Sequence, residues 1–379
     1  MKTALINANV MTTDGFKDRQ SVLINAGKIV GIYDDETCPT GSDTTQDMGG
    51  NMLLPGFLDL QVNGGGGVLF NDSPTVEGIR AIGKAHRAFG TTAFLPTLIS
   101  DDHAVMAAAI GAVDAAIAEG VPGVVGLHLE GPFLNAERRG VHDSSKFGSI
   151  GERDIHLMSS LKRGKTLVTL APEKTTPDAI KSLTDRGVIV AAGHTQASYD
   201  QTREALDAGL TGFTHLFNAM KPMQSRDPGI IAAALEDNRA WCGIIADGHH
   251  VHPAMLRLAL RAKIGEQIFL VTDAMPSVGS KDKQFSLGDL NVEVVDGKCV
   301  TTSGTLAGSD LDMLSAVRNA QNFLNISLER AVGMASRIPA KFMGLGDQMG
   351  DIKVGQQANL VLINKNLDVE ETWINGVSA

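Results

Sequence analysis

The sequence predicts an α/β fold: a (β/α)8 TIM barrel carrying a small β-sandwich domain built from both chain termini. Three observations predict it. From Pro55-Gly56 onward, short apolar runs alternate with helix-like stretches, the texture of βα units around a parallel sheet. The runs number eight, and eight such units match a closed barrel of roughly 250 residues. The two ends of the chain, by contrast, alternate polar and apolar residues between turn signals, which is half-buried β structure.

Taken in order, residues 4–10, 21–25 and 28–32 read as strands, the last two joined through Asn25-Ala26-Gly27, a hairpin signal. The candidate barrel strands are 57–62, 93–98, 124–130, 166–171, 188–194, 212–218, 241–247 and 268–273. Helical periodicity lies between them at 77–89, 103–118, 177–186, 199–208 and 253–263. Residues 291–295 and 298–301 flank Asp296-Gly297, so a hairpin inserts near 285–302 before helix 311–324. Strands return at 358–363 and 370–374, followed by the turn pair Asn375-Gly376. The expected division is 1–53 and 348–379 for the small β domain and 54–347 for the barrel.

A chain of 379 residues with 43% hydrophobic content buries a large core. Its net charge of −10 argues against nucleic-acid or anionic-membrane partners, which need a basic face. Cys38, Cys242 and Cys299 are dispersed and form no Cys-x-x-Cys pair, which suits a reducing cytoplasm. The N-terminus alternates like a strand and does not read as a signal peptide, and no apolar run approaches the roughly 20 residues that span a bilayer. Gly64 to Gly67 lacks the Gly-Lys-Ser/Thr ending of a phosphate loop and reads as a βα turn.

Barrels of this kind place their chemistry at the C-terminal ends of the strands. There the first strand carries Asp59, Gln61 and Asn63, the third Glu130, the fifth His194, the sixth His215 and Asn218, and the eighth Asp273; the seventh runs into Asp247-Gly248-His249-His250. Taken singly, each is a capping acid or a hydrogen-bonded histidine. Together, Glu130, His194 and His215 supply a carboxylate and two imidazoles, the three-ligand complement of a catalytic metal site that keeps one position open. Asp273 then reads as a general base facing that position, or alternatively as a carboxylate that orients a ligand histidine.

These segments resemble the N-acetylglucosamine-6-phosphate deacetylases of the amidohydrolase superfamily, through Pro55-Gly56-Phe57-Leu58-Asp59, Gly126-Leu127-His128-Leu129-Glu130-Gly131-Pro132, Ala192-Gly193-His194-Thr195, Thr214-His215-Leu216-Phe217-Asn218-Ala219-Met220, Asp247-Gly248-His249-His250 and Thr272-Asp273-Ala274. The resemblance implies Glu130, His194 and His215 as metal ligands and Asp273 as catalytic acid/base. It also implies substrate contacts from His142 and His250, sugar-phosphate contacts from Asn218, Ala219 and Arg226, and a homodimer. The His-x-His common in the superfamily is replaced here by Gln61-Val62-Asn63, and no lysine ends the fourth strand. One divalent ion per chain is therefore expected: zinc first, with iron, cobalt or nickel open, since this donor set serves them all. The expected reaction releases acetate from N-acetylglucosamine 6-phosphate. Other readings are an amidohydrolase of a cyclic amide or aminated base, or a non-catalytic barrel scaffold.

Overall fold

Eight parallel strands line up in chain order: Phe57–Val62, Thr91–Ile99, Gly126–Glu130, Lys165–Leu170, Ile189–Ala192, Gly212–Phe213, Trp241–Ile244 and Ile268–Leu270. A computed structural model gives this fold for residues 2–378. Both faces of these strands are covered, by the barrel interior on one side and by helices on the other, so they read as continuous apolar runs. Polar residues interrupt the runs at a spacing of two, the period of a strand face. Asp59 and Gln61 share one face of the first strand with Asn63 just beyond it, and His128 and Glu130 share one face of the third.

All eight strands fall where the sequence places them, but four end two or more residues early, among them the expected 241–247, which stops at Ile244. The expected 188–194, 212–218 and 268–273 stop at Ala192, Phe213 and Leu270. The cause is local: His194, His215 and Asp273 have φ of 49°, 32° and 54°, left-handed values that a β ladder cannot contain. Apolarity continues past the ladder because the turns themselves are buried, as at Leu216 and Val271. No ladder joins the first strand to the eighth among the described residues; the one β-bridge across that gap pairs Val62 with Ala274, just past the eighth strand.

The surrounding helices start on sequence-legible caps. Thr75 accepts from the Gly78 amide ahead of Val76–Arg87, and Thr176 accepts from the Ala179 amide ahead of Pro177–Asp185, with Pro177 in the first turn where no amide is needed. Ser198 and Gln201 form a reciprocal capping box at Tyr199–Asp207. The Ala-rich helix spans His103–Ala118, as expected from its sequence.

Strands Lys2–Thr12, Gly15–Asn25, Lys28–Asp34, Thr44–Asp47, Met52–Pro55, Leu360–Ile363, Val369–Ile374 and Val377–Ser378 pair into one eight-stranded sheet. Met52–Pro55 joins the two termini, since it pairs with Lys2–Thr12 on one side and Leu360–Ile363 on the other. Leu5, Val22, Leu53, Leu360 and Trp373 form a core separate from that of the barrel. The insertion is larger than the hairpin expected near 285–302. It is a four-stranded antiparallel sheet of Gln284–Leu287, Leu290–Val295, Lys298–Thr301 and Leu306–Ser309. Its outer strands are four residues each, too short to register as strands in the sequence.

Candidate active site

A cavity of about 250 Å³ opens at the C-terminal ends of the barrel strands. Its wall includes Asn63, Glu130, His142, His194, His215, Asn218, Ala219, His250 and Asp273, so most of the sequence-predicted site residues meet at one place. A larger cavity of about 450 Å³ lies at the opposite end of the barrel, around Val124, Val125, Gly164 and Lys165. Its lining contains no His, Cys, Asp or Glu.

Glu130, His194 and His215 are buried and form the one metal-type cluster among the described residues. Glu130 Oε1 lies 3.1 Å from His194 Nε2 and 3.0 Å from His215 Nε2, and the two Nε2 atoms are 3.0 Å apart. His194 Nδ1 is 2.8 Å from the Arg138 carbonyl, which can only accept. Its proton therefore sits on Nδ1, and Nε2 turns a lone pair inward. Two ring nitrogens and a carboxylate oxygen thus crowd one point. Their spacing is close to the roughly 3.3 Å expected between neighbouring ligands of a tetrahedral ion with 2.0–2.1 Å bonds. The donors fit one divalent cation. Burial opposes the charge of Glu130, but the adjacent His194 and His215 imidazoles hold its carboxyl well below the usual range.

Asp273 sits beside this trio. Desolvation and the nearby Glu130 charge push its carboxyl up to about 6. Its Oδ1 accepts from Asn63 Nδ2 at 2.6 Å and from Gln61 Nε2 at 3.1 Å, and Gln61 also donates to Glu130 Oε2 at 3.1 Å. The Gln61 and Asn63 amides therefore turn N–H donors toward the carboxylates. A second cation would need electron pairs pointing there instead.

His142 projects from the loop after the third strand. The Ser100 amide, which can only donate, reaches His142 Nδ1 at 3.3 Å, with Ser100 Oγ at 2.8 Å. The proton of the neutral ring is then on Nε2. Burial and the neighbouring His194 push the group down to about 3, so the ring stays neutral and donates from Nε2. His250 is oriented by Asp247, whose Oδ2 lies 2.6 Å from His250 Nδ1 while Oδ1 accepts from the His249 and His250 amides. Burial works against the Asp247 charge, but these bonds hold its carboxyl below the usual range.

Asn218 and Ala219 reach the cavity on a tight turn, with Asn218 Nδ2 bonded to the His215 carbonyl at 3.1 Å and Ala219 left-handed at φ 50°. Arg226 is not brought to them. It is exposed on the following loop, outside the cavity lining, and Asp227 pairs instead with Lys221 at 2.5 Å. Ser100 and the insertion residues Leu287, Leu306 and Gly308 also belong to the site, although nothing in the local sequence assigns them a role; Asp247, placed by the sequence at the end of the seventh strand without a role, belongs to it as well. For Asp247 a signal exists, because Asp followed two and three residues later by amides that it accepts is an Asx turn. The insertion residues carry none.

The amidohydrolase family model matches residues 52–378. Similar proteins include an N-acetylgalactosamine-6-phosphate deacetylase from Shewanella sp. (strain ANA-3), 43% identical over 97% of this chain and 94% of the relative. An N-acetylglucosamine-6-phosphate deacetylase from Vibrio furnissii is 36% identical over 86% of this chain and 82% of its own length. The crystal structure of N-acetylglucosamine-6-phosphate deacetylase from Pasteurella multocida superposes with a TM-score of 0.96 over 100% of both chains at 33% identity.

Proposed function

This chain belongs to the amidohydrolase family, and on that premise we propose that it hydrolyses the acetamide of N-acetylglucosamine 6-phosphate to glucosamine 6-phosphate and acetate, in amino-sugar catabolism. The observation that carries the proposal is the buried convergence of Glu130, His194 and His215 beside Asp273, in a chain whose relatives are hexosamine-phosphate deacetylases. We assign the three as ligands of one divalent ion, zinc first and iron, cobalt or nickel next. Such an ion supplies Lewis-acid polarisation of the acetamide carbonyl and activation of a water molecule.

The chain's own residues do the rest. Asp273 takes the proton of the attacking water and passes it to the amine, which leaves an amide poorly unless protonated. Neutral His142 donates from Nε2 to the carbonyl oxygen as negative charge develops there. His250, set by Asp247, together with Asn218 and Ala219, lines the part of the cavity assigned to the sugar phosphate. Arg226 is proposed as the phosphate's cationic partner, brought in from its exposed loop. A homodimer and a cytoplasmic location complete the reading; the second accords with three unpaired cysteines.

One observation favours a second substrate. The Shewanella relative, at 43% identity over nearly the whole chain, is named for the galacto epimer. The test is acetate release from N-acetylglucosamine 6-phosphate and N-acetylgalactosamine 6-phosphate, comparing kcat/KM. We expect turnover of the first; acetate from neither would overturn the proposal.

A further inference from the structure

The barrel is stitched by ladders everywhere except between its first and eighth strands, and that seam is where Asp273 stands. What crosses the seam at Thr272 is a side chain. Asp59, fully buried in the first strand, accepts from the Thr272 amide at 3.3 Å through Oδ1 and from the Thr272 hydroxyl at 2.5 Å through Oδ2. Its Oδ1 also accepts from the Gln61 amide at 3.2 Å, which fixes the carboxylate against its own strand. One residue beyond Asp273, the Ala274 carbonyl accepts from the Asn63 and Gly64 amides at 2.9 and 3.0 Å. Strand one therefore grips the chain on both sides of Asp273.

The other side is gripped by the insertion. Ser309 Oγ donates to the Thr272 carbonyl at 2.5 Å, and the Ser309 amide donates to the Asp273 carbonyl at 2.9 Å. Gly308 is required for this approach, because a Cβ there would lie 2.9 Å from the Asp273 carbonyl oxygen and closer still to Met275. All three polar groups of Thr272 are thus occupied, two of them by Asp59. Asp273 itself is left-handed, a conformation that a non-glycine residue keeps only when its surroundings over-determine it.

We propose that Asp59 is a positioning residue for the proton-transfer step: by taking the place of the missing ladder at Thr272, it holds Asp273 in the left-handed turn that aims its carboxylate at the metal-type cluster. The proposal rests on the deacetylase reading for its kinetic consequence but not for its geometry. Asp59→Asn preserves the geometry, since the amide oxygen still accepts the two backbone N–H groups while Nδ2 donates to Thr272 Oγ1, whose proton can turn to the Gln61 carbonyl 3.4 Å away. Asp59→Ala removes it.

The experiment compares both variants with wild type for kcat, KM and metal per chain, and determines the crystal structure of Asp59→Ala. Expected are a kcat lowered at least tenfold in Asp59→Ala with KM within about twofold and metal retained, near-complete rescue in Asp59→Asn, and an Asp273 backbone that leaves the left-handed region in the Ala variant. Wild-type kcat in Asp59→Ala, or metal and activity lost equally in both variants, would overturn it. Should Asp59→Ala not fold, Thr272→Val against Thr272→Ser asks the same question, with the valine expected to lose kcat and the serine to keep it. If wild type proves inactive on the sugar phosphates, the function fails, while the crystal structure still decides the geometry.

Discussion

The inner ring of the site and the loop that follows the sixth strand are built on opposite terms. In the ring, Glu130, His194, His215 and Asp273 sit at or just past strand ends, with the Arg138 carbonyl bonded to His194, Gln61 to both Glu130 and Asp273, and Asn63 to Asp273. Three of the four hold left-handed backbones, each costing on the order of 1 kcal/mol or more, which the packed barrel sustains. In the loop, Arg226 is exposed and its neighbours Lys221 and Asp227 satisfy each other. The ring is preorganised for charge, and the loop is not. A catalytic centre that must lower a barrier gains from fixed dipoles, whereas a substrate-holding loop can be ordered when its anion arrives.

The sharpest test of the contrast is to remove a ring ligand. His194→Ala or His215→Ala should abolish both metal content and activity, because two remaining donors do not hold a catalytic ion at neutral pH. Metal analysis should find about one ion per wild-type chain and almost none in the variants. Two tightly held ions per wild-type chain would break the single-ion assignment and show that Gln61 and Asn63 do more than donate to carboxylates.

Next in size is Asp273→Asn, which leaves the donor trio intact. It should keep its metal and lower kcat by about a thousandfold, within the range for loss of a general acid/base. The pH dependence follows from the raised carboxyl. A base works ionised, so kcat/KM of wild type should climb as pH rises through a midpoint of about 6, or lower when a bound cation favours the ionised form. That acid limb should vanish in the variant's residual activity. A variant that keeps more than a tenth of the wild-type kcat would make Asp273 an orienting group and leave the base unassigned.

Strand-end residues were legible because burying an ionisable group is costly, so an apolar run that ends on Glu130, His194 or Asp273 marks a place where charge is used. The period of two then sets the direction of each side chain. The left-handed turns at His194, His215 and Asp273 were not legible, because the apolar pattern runs on through the buried turn and hides where the ladder stops. Asp59 was visible as a carboxylate in a buried strand, yet its partner Thr272 is more than two hundred residues away in sequence, so only the closed barrel reveals the pair. The insertion's outer strands are four residues each, too short a stretch for a periodicity to stand out.

The smallest expected effect is the one that probes the loop. In the structure Arg226 is a solvated cation, and an exposed charge pair contributes about 0–1 kcal/mol, which corresponds to at most about a fivefold change in kcat/KM. Brought against a phosphate in a closed site, the same guanidinium makes a charge-assisted contact of roughly 1.5–3 kcal/mol, or about ten- to a hundredfold. Arg226→Ala therefore measures whether the loop moves. We expect kcat/KM for N-acetylglucosamine 6-phosphate to fall at least tenfold while that for unphosphorylated N-acetylglucosamine barely changes, since only the first sugar can recruit the loop. Arg226→Lys should recover part of the loss, because the charge returns without the planar fork that binds two phosphate oxygens. A phosphorylated-to-unphosphorylated ratio equal to that of wild type would mean that Arg226 stays in solvent throughout turnover. The contrast between ring and loop would then hold for the bound enzyme as well as the free one, with phosphate recognition left to groups already on the cavity wall, among them His250, Asn218 and Ala219.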